Sequence, residues 1–178
     1  MKVVRVGADE VGGVVDGLAE VLVDSVAGGA SMGFLLPFGL VDARAWWSRV
    51  EPEVAAGRTV LWVARESSGV VGTIQLRLEL EYPNGRHRAE VAKFMVASWA
   101  RGRGIGRALL GAVEAAAPGV GVSLLVLDTE TDSPAEGLYR SAGWTELGVM
   151  PAHSADPWGV LRPTTFFFKQ LAERVVAR

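Results

Sequence analysis

"SWARGRGIGRALL", Ser98 to Leu110, is the stretch on which the fold turns. Between Arg101 and Arg107 it sets Gly102, Gly104 and Gly106 among three arginines. The apolar run "VAKFMVA" stands before it, and Ile105, Leu109, Val113 and Ala117 follow at the spacing of one helix face. Glycines at a strand-to-helix junction let backbone N–H groups come close to a ligand where a Cβ would obstruct. A helix start adds unpaired donors and a partial positive charge. The segment therefore predicts an anion site.

Two familiar anion sites fit poorly. A dinucleotide loop needs G-x-G-x-x-G, and Asp128 does stand about 20 residues on, where such a fold places an acid. Here, however, the pattern is G-x-G-x-G, and Arg107 takes the place of the third fingerprint glycine. A triphosphate loop needs a Lys-Ser/Thr pair at its end, and "GRGIGRALL" has neither.

Working outward, "KVVRV" reads as a strand and "ADEVGGVVDGLAEVLVDSVAGG" as a helix with Val15, Leu18, Val21, Leu22 and Val26 on one face. "SMGFLLPFGL" is a loop interrupted by Pro37, and "DARAWWSRVEPEVAAG" repeats the helical spacing with Trp46, Val50 and Val54. "TVLWVARES" and "VVGTIQLRLELEY" read as strands, the second carrying Ile74, Leu76, Leu78 and Leu80 on one face. "PNGR" is a turn and "AEVAKFMV" its return strand, which predicts a hairpin. "VSLLVLD" reads as a strand covered on both faces, "SPAEGLYRSAG" as a helix stopped by Gly143, and "TTFFFKQL" as a late strand. The order β-α-α-β-β-β-α-β-α-β-β predicts a mixed α/β sheet flanked by helices in a single domain, 1–178.

Composition narrows the function. A net charge of −2 over 178 residues argues against a nucleic-acid or membrane-surface binder. No cysteine is present, which removes disulfides, zinc–thiolate sites and a thiol nucleophile. His87 and His153 are the only histidines, too few and too far apart for a metal centre. Asp9 and Glu10 interrupt the N-terminus before any long apolar run, and no stretch reaches the length of a membrane helix, so a cytoplasmic protein is expected.

"Arg101-Gly102-Arg103-Gly104-Ile105-Gly106" resembles the R/Q-x-x-G-x-G/A signature of the GNAT superfamily of N-acetyltransferases. "AEGLYRSAGW" is similar to that family's A-x-x-L-Y-x-x-x-G-F segment, with Trp144 in the aromatic place. A narrower likeness, in "GGASMGF", "PNG", "RAEVAKFMV", "ARGRGIGR", "LDTE" and "RPTTFFFK", is to the tabtoxin-resistance branch, which acetylates an amino-acid toxin. The resemblance implies the GNAT fold, acetyl-CoA as co-substrate with no metal, and a small-molecule amine as acceptor. It leaves monomer and homodimer open.

It further implies that Arg101, Gly102, Arg103, Gly104, Ile105, Gly106 and Arg107 meet the pyrophosphate or ribose phosphate of CoA. Phe94, Met95 and Val96 would flank the acyl end, with a backbone N–H near Met95 or Val96 as oxyanion donor. Asp132, standing where the family has asparagine, and Ser133 would meet the pantetheine arm. Ser31 and Phe34 lie in the loop expected near the acceptor.

Acetyl transfer needs a neutral amine and a proton for the departing thiolate. Glu90 and Asp128 match the acids of the tabtoxin-resistance base system; each could also be an ordinary polar residue of a strand or strand end. Tyr139 matches the family's general acid, and its bland alternative is a core-facing tyrosine. "Gly29-Ala30-Ser31-Met32-Gly33" also fits a hydrolase elbow, with Asp128 and His153 following in hydrolase order, but a helix precedes the serine where a strand is required. The other competing reading is an acyl-CoA sensor that binds without chemistry.

Overall fold

The hairpin expected around "PNGR" sits at the centre of the computed structural model, which describes residues 1–171. Its arms are β3 (Gly69–Leu78) and β4 (Arg88–Val96). With β1 (Lys2–Val6), β2 (Thr59–Glu66), β5 (Leu124–Glu130), β6 (Thr145–Ala155) and β7 (Leu161–Gln170), they form one sheet ordered β1-β2-β3-β4-β5-β7-β6. Every neighbouring pair is antiparallel except β4–β5. The mixed α/β sheet is therefore present.

Among the described residues five α-helices flank it: α1 (Val15–Ala27), α2 (Leu40–Trp47), α3 (Val50–Ala55), α4 (Ile105–Ala116) and α5 (Pro134–Ser141). The single helix expected across "DARAWWSRVEPEVAAG" is two, α2 and α3. Pro52 explains the break, because a proline inside a helix lacks the N–H and collides with the carbonyl four residues back. Starting α3 at Val50 puts Pro52 in a first turn, where no N–H is needed. Likewise α1 begins only at Val15, after short 3-10 turns around the Gly12–Gly13 pair. β5 buries Leu125 and Leu127 fully but Leu124 and Val126 only partly, so it is less enclosed than its apolar run suggests.

Six consecutive buried residues, 71–76, show that β3 is covered on both faces. α1 approaches where Gly17 meets Val70; α4 approaches where Ile105 and Leu109 meet Gly72. The core holds Leu18, Leu22, Trp47, Leu61, Ile74, Leu109, Leu125 and Phe167, each essentially inaccessible. Side chains of this kind contribute roughly 1.5–3 kcal/mol apiece on burial. Leu80, expected on the same face as Ile74 and Leu76, lies beyond the end of β3 and is exposed. Among the described residues no helix is long and apolar enough to cross a membrane.

Two features open the sheet at its middle. The β4–β5 ladder pairs only Arg88–Glu90 with Leu124–Val126, so β4 beyond Glu90 has no β5 partner. At the same level β4 carries a bulge: Gln75 faces Ala92, Thr73 faces Met95, and Lys93 takes a positive φ of 46°. An extra residue bends and twists the bulged strand. The diverging strands leave backbone N–H and C=O groups facing a gap.

Candidate active site

That gap is the floor of a cavity of about 1200 Å³. α4 starts at one end of it. Gly102 and Gly104 are left-handed, with φ of 73° and 76°, and Gly104 caps the helix. A Cβ built on either would meet nothing within 4 Å. The open space in front of them is what a bound phosphate chain requires. The helix ladder begins with the Ala108 N–H on the Gly104 carbonyl, which leaves the N–H groups of Ile105, Gly106 and Arg107 without helical partners. Gly106 serves packing instead, since a Cβ there would lie 3.2 Å from Leu138 and 3.3 Å from Phe94.

The three arginines of the loop diverge. Arg107 lines the cavity and donates to Ser141 Oγ at 2.6 Å. Arg101 also lines it, its Nε held by the Val96 carbonyl at 3.0 Å. Arg103 does not: its guanidinium is turned onto Glu66, at the end of β2. Every other residue singled out in the sequence for catalysis, CoA or acceptor binding lines the cavity.

Glu90, Asp128 and Tyr139 line the cavity together. Glu90 pairs in register with Val126, and Asp128 lies two residues further along β5, which puts both carboxylates on one sheet face. Arg77 of β3 approaches Glu90 at 3.7 Å, a loose and half-exposed ion pair. Tyr139 projects from α5, its ring 5.7–6.0 Å from the rings of Phe167, Trp144 and Phe94. Burial, and then the nearby Asp128 charge, push its hydroxyl pKa above the ordinary phenol value. It keeps its proton at any neutral pH. Asp132 takes a left-handed φ of 62° just before Ser133, the cap of α5, whose Oγ lies 3.2 Å from Thr129 Oγ1.

The loop after α1 lines the cavity as well. Ser31 Oγ donates to the Ala155 carbonyl at 3.0 Å and lies 3.3 Å from Ser154 Oγ. The His153 ring instead packs edge-on against Phe166 at 5.2 Å, so the elbow-like sequence forms no serine–histidine pair. Phe34 stacks with Phe38 at 4.4 Å and with Trp46 of α2 at 5.8 Å.

One residue escaped the sequence reading. Lys93 reaches from the β4 bulge to this loop, donating to the Met32 carbonyl at 2.7 Å. Its ammonium lies 5.3 Å from the Phe34 ring centre and 5.0 Å from that of Trp46. Burial first, and the Arg77 charge second, lower its pKa to about 8, while Glu90 and Asp128 pull the other way. The available signal was one lysine inside the otherwise apolar "VAKFMVA".

Comparison with known proteins agrees with this geometry. The sequence pattern of the "Acetyltransferase (GNAT) family" matches residues 32–144. An "IAA acetyltransferase" of Azospirillum brasilense is 35% identical over 96 residues, which are 53% of this chain and 60% of that protein. The chain thus spans less than two thirds of that relative's length. Among solved structures, a ribosomal-protein-alanine N-acetyltransferase from Brucella melitensis superposes with a TM-score of 0.78 at 25% identity, over 96% of this chain and 100% of that one. A GNAT phosphinothricin acetyltransferase from Sinorhizobium meliloti, solved with acetyl-CoA, gives 0.76 at 20% identity over 99% and 91%.

Proposed function

The chain belongs to the GNAT acetyltransferase family, and on that footing we propose that it transfers the acetyl group of acetyl-CoA to the amine of a small molecule, amino-acid-like or antibiotic- or toxin-like. The observation that carries this reading is the open, left-handed glycine pair in front of α4, at the mouth of the gap between β4 and β5. Backbone N–H groups and Arg101 and Arg107 would hold the pyrophosphate there. The unpaired edge of β4 offers amide partners to the extended arm of the cofactor, with Asp132 and Ser133 across from it. When bound, acetyl-CoA supplies an activated acyl carbonyl.

This chain's residues do the rest. Glu90 and Asp128 take a proton from the incoming ammonium, directly or through a water, so that the amine can attack. Tyr139, protonated throughout, holds the proton that the departing sulfur needs. A β4 N–H near Met95 or Val96 meets the carbonyl oxygen as charge develops on it. Phe34 and Ser31 wall the acceptor side, while Arg103 stays with Glu66. The likeness to tabtoxin-resistance acetyltransferases supports an acceptor with an amino-acid skeleton. The use of acetyl-CoA supports a cytoplasmic site of action.

The test has two measurements. Acetyl-CoA should raise the melting temperature by mass action, while NADH and ATP should not. Thiol release from acetyl-CoA should then depend on an added amine, in a screen of amino acids and amine-bearing antibiotics. Stabilisation by acetyl-CoA without amine-dependent thiol release would leave a cofactor-binding protein and remove the enzyme.

A further inference from the structure

Lys93 is a cation in an unusual setting. Among the described residues its ammonium makes one hydrogen bond, to the neutral Met32 carbonyl, and no ion pair. A mostly buried ammonium is costly unless a counter-charge meets it. It is also held in place rather than loose. The positive-φ bulge aims it, the Met32 carbonyl tethers it, and the adjoining rings of Phe34 and Trp46 lie against it. Two of its N–H bonds have no partner among the described residues, and the residue lines the same cavity as Glu90 and Asp128.

The cavity therefore carries charges of both signs. Glu90 and Asp128 lie on β4 and β5; Lys93 reaches from the β4 bulge to the loop after α1, and Arg77 on β3 pairs with Glu90. An α-amino acid has the matching dipole, an ammonium and a carboxylate on one carbon. We infer that Lys93 is the specificity residue of this site, binding the carboxylate of a zwitterionic amino acid whose amine faces Glu90 and Asp128. The inference rests on the acetyltransferase reading and adds the substrate class: an amine with an adjacent carboxylate rather than a polyamine or an aminosugar.

The experiment compares acetyl transfer to each protein amino acid with transfer to its methyl ester and to its decarboxylated amine. These two controls have amines less and more basic than the parent, so a loss shared by both reports the carboxylate. Wild type should prefer the best amino acid about 30-fold or more in kcat/KM, the range expected when a charged hydrogen-bond partner is deleted from a half-buried site. Lys93→Met should lower kcat/KM for the amino acid by a similar factor, mostly through KM. Both controls should stay within about threefold, so the preference collapses, and Lys93→Arg should restore part of it. A merely structural lysine would depress all three substrates alike, and that result overturns the inference. So does a wild type that acetylates the controls as well as the amino acids, or that accepts no amino acid at all. If carboxylate-free amines react as well as the amino acids or better, the acetyltransferase reading survives without this one; if no amine releases thiol, both fall.

Discussion

Replacing Lys93 by methionine should stabilise the protein near neutral pH, and the gain should vanish in alkali. The folded chain holds the Lys93 pKa at about 8, against 10.5 for an unperturbed lysine. At 1.36 kcal/mol per pK unit, the charged form is disfavoured by about 3 kcal/mol on folding. The side chain is only partly buried beside an open cavity, and solvent screening reduces this to a net penalty of about 2 kcal/mol. Methionine keeps an unbranched stem of similar bulk and carries no charge. Met32 borders the open cavity, so water can replace the lost donor on its carbonyl. Lys93→Met should therefore be about 2 kcal/mol more stable than wild type at pH 7, or about 4–8 °C in melting temperature for a chain of this size. The sign follows from linkage. The folded value lies below the unfolded one, so the stability that comes with the neutral amine is fully present above 10.5 and is lost as pH falls through 8. Wild type should accordingly catch up between pH 8 and 10.5. Urea unfolding of both proteins at pH 7, 8, 9 and 10 measures this directly. Parallel stability curves, or a wild type at least as stable at pH 7, would refute the desolvated-cation argument. The expected trade is stability against recognition, since the same substitution should abolish the preference for a carboxylate.

Three further outcomes are expected. Glu90→Gln and Asp128→Asn should each lower turnover with acetyl-CoA affinity nearly unchanged, and the double variant should be little worse than the worse single, because groups acting as a unit are not additive; full activity in both would leave solvent as the base. Tyr139→Phe should slow turnover by roughly 10²-fold, and a thioester with a better leaving group should recover much of that loss in steady-state assays; an equal loss with both thioesters would remove Tyr139 as proton donor. Glu114→Ala strips the partner of Trp144 Nε1 (2.8 Å) and Lys169 Nζ (2.7 Å), which tie α4 to the ends of α5 and β7. It should cost about 2–3 kcal/mol in urea unfolding, and a change below about 0.5 kcal/mol would show that water replaces Glu114 there.

Much of this protein is written locally in its sequence. The element order, the hairpin, the glycine cap of α4 and the helix that carries Tyr139 each follow from spacings within a few residues. Backbone dihedrals and face periodicity are short-range properties. The break between α2 and α3 was equally local, since Pro52 forbids a continuous helix. The tertiary structure alone decided which of three similar arginines face the cavity: Arg103 differs from Arg101 and Arg107 only through Glu66, which lies 37 positions away. It alone also made Lys93 unusual. In the sequence it is one charge in an apolar strand; in the fold a bulge turns it toward Met32, 61 residues distant, and against two rings. Desolvation and Coulomb energy depend on what surrounds a charge in space. No spacing along the chain encodes that until the strands of the sheet have paired and parted.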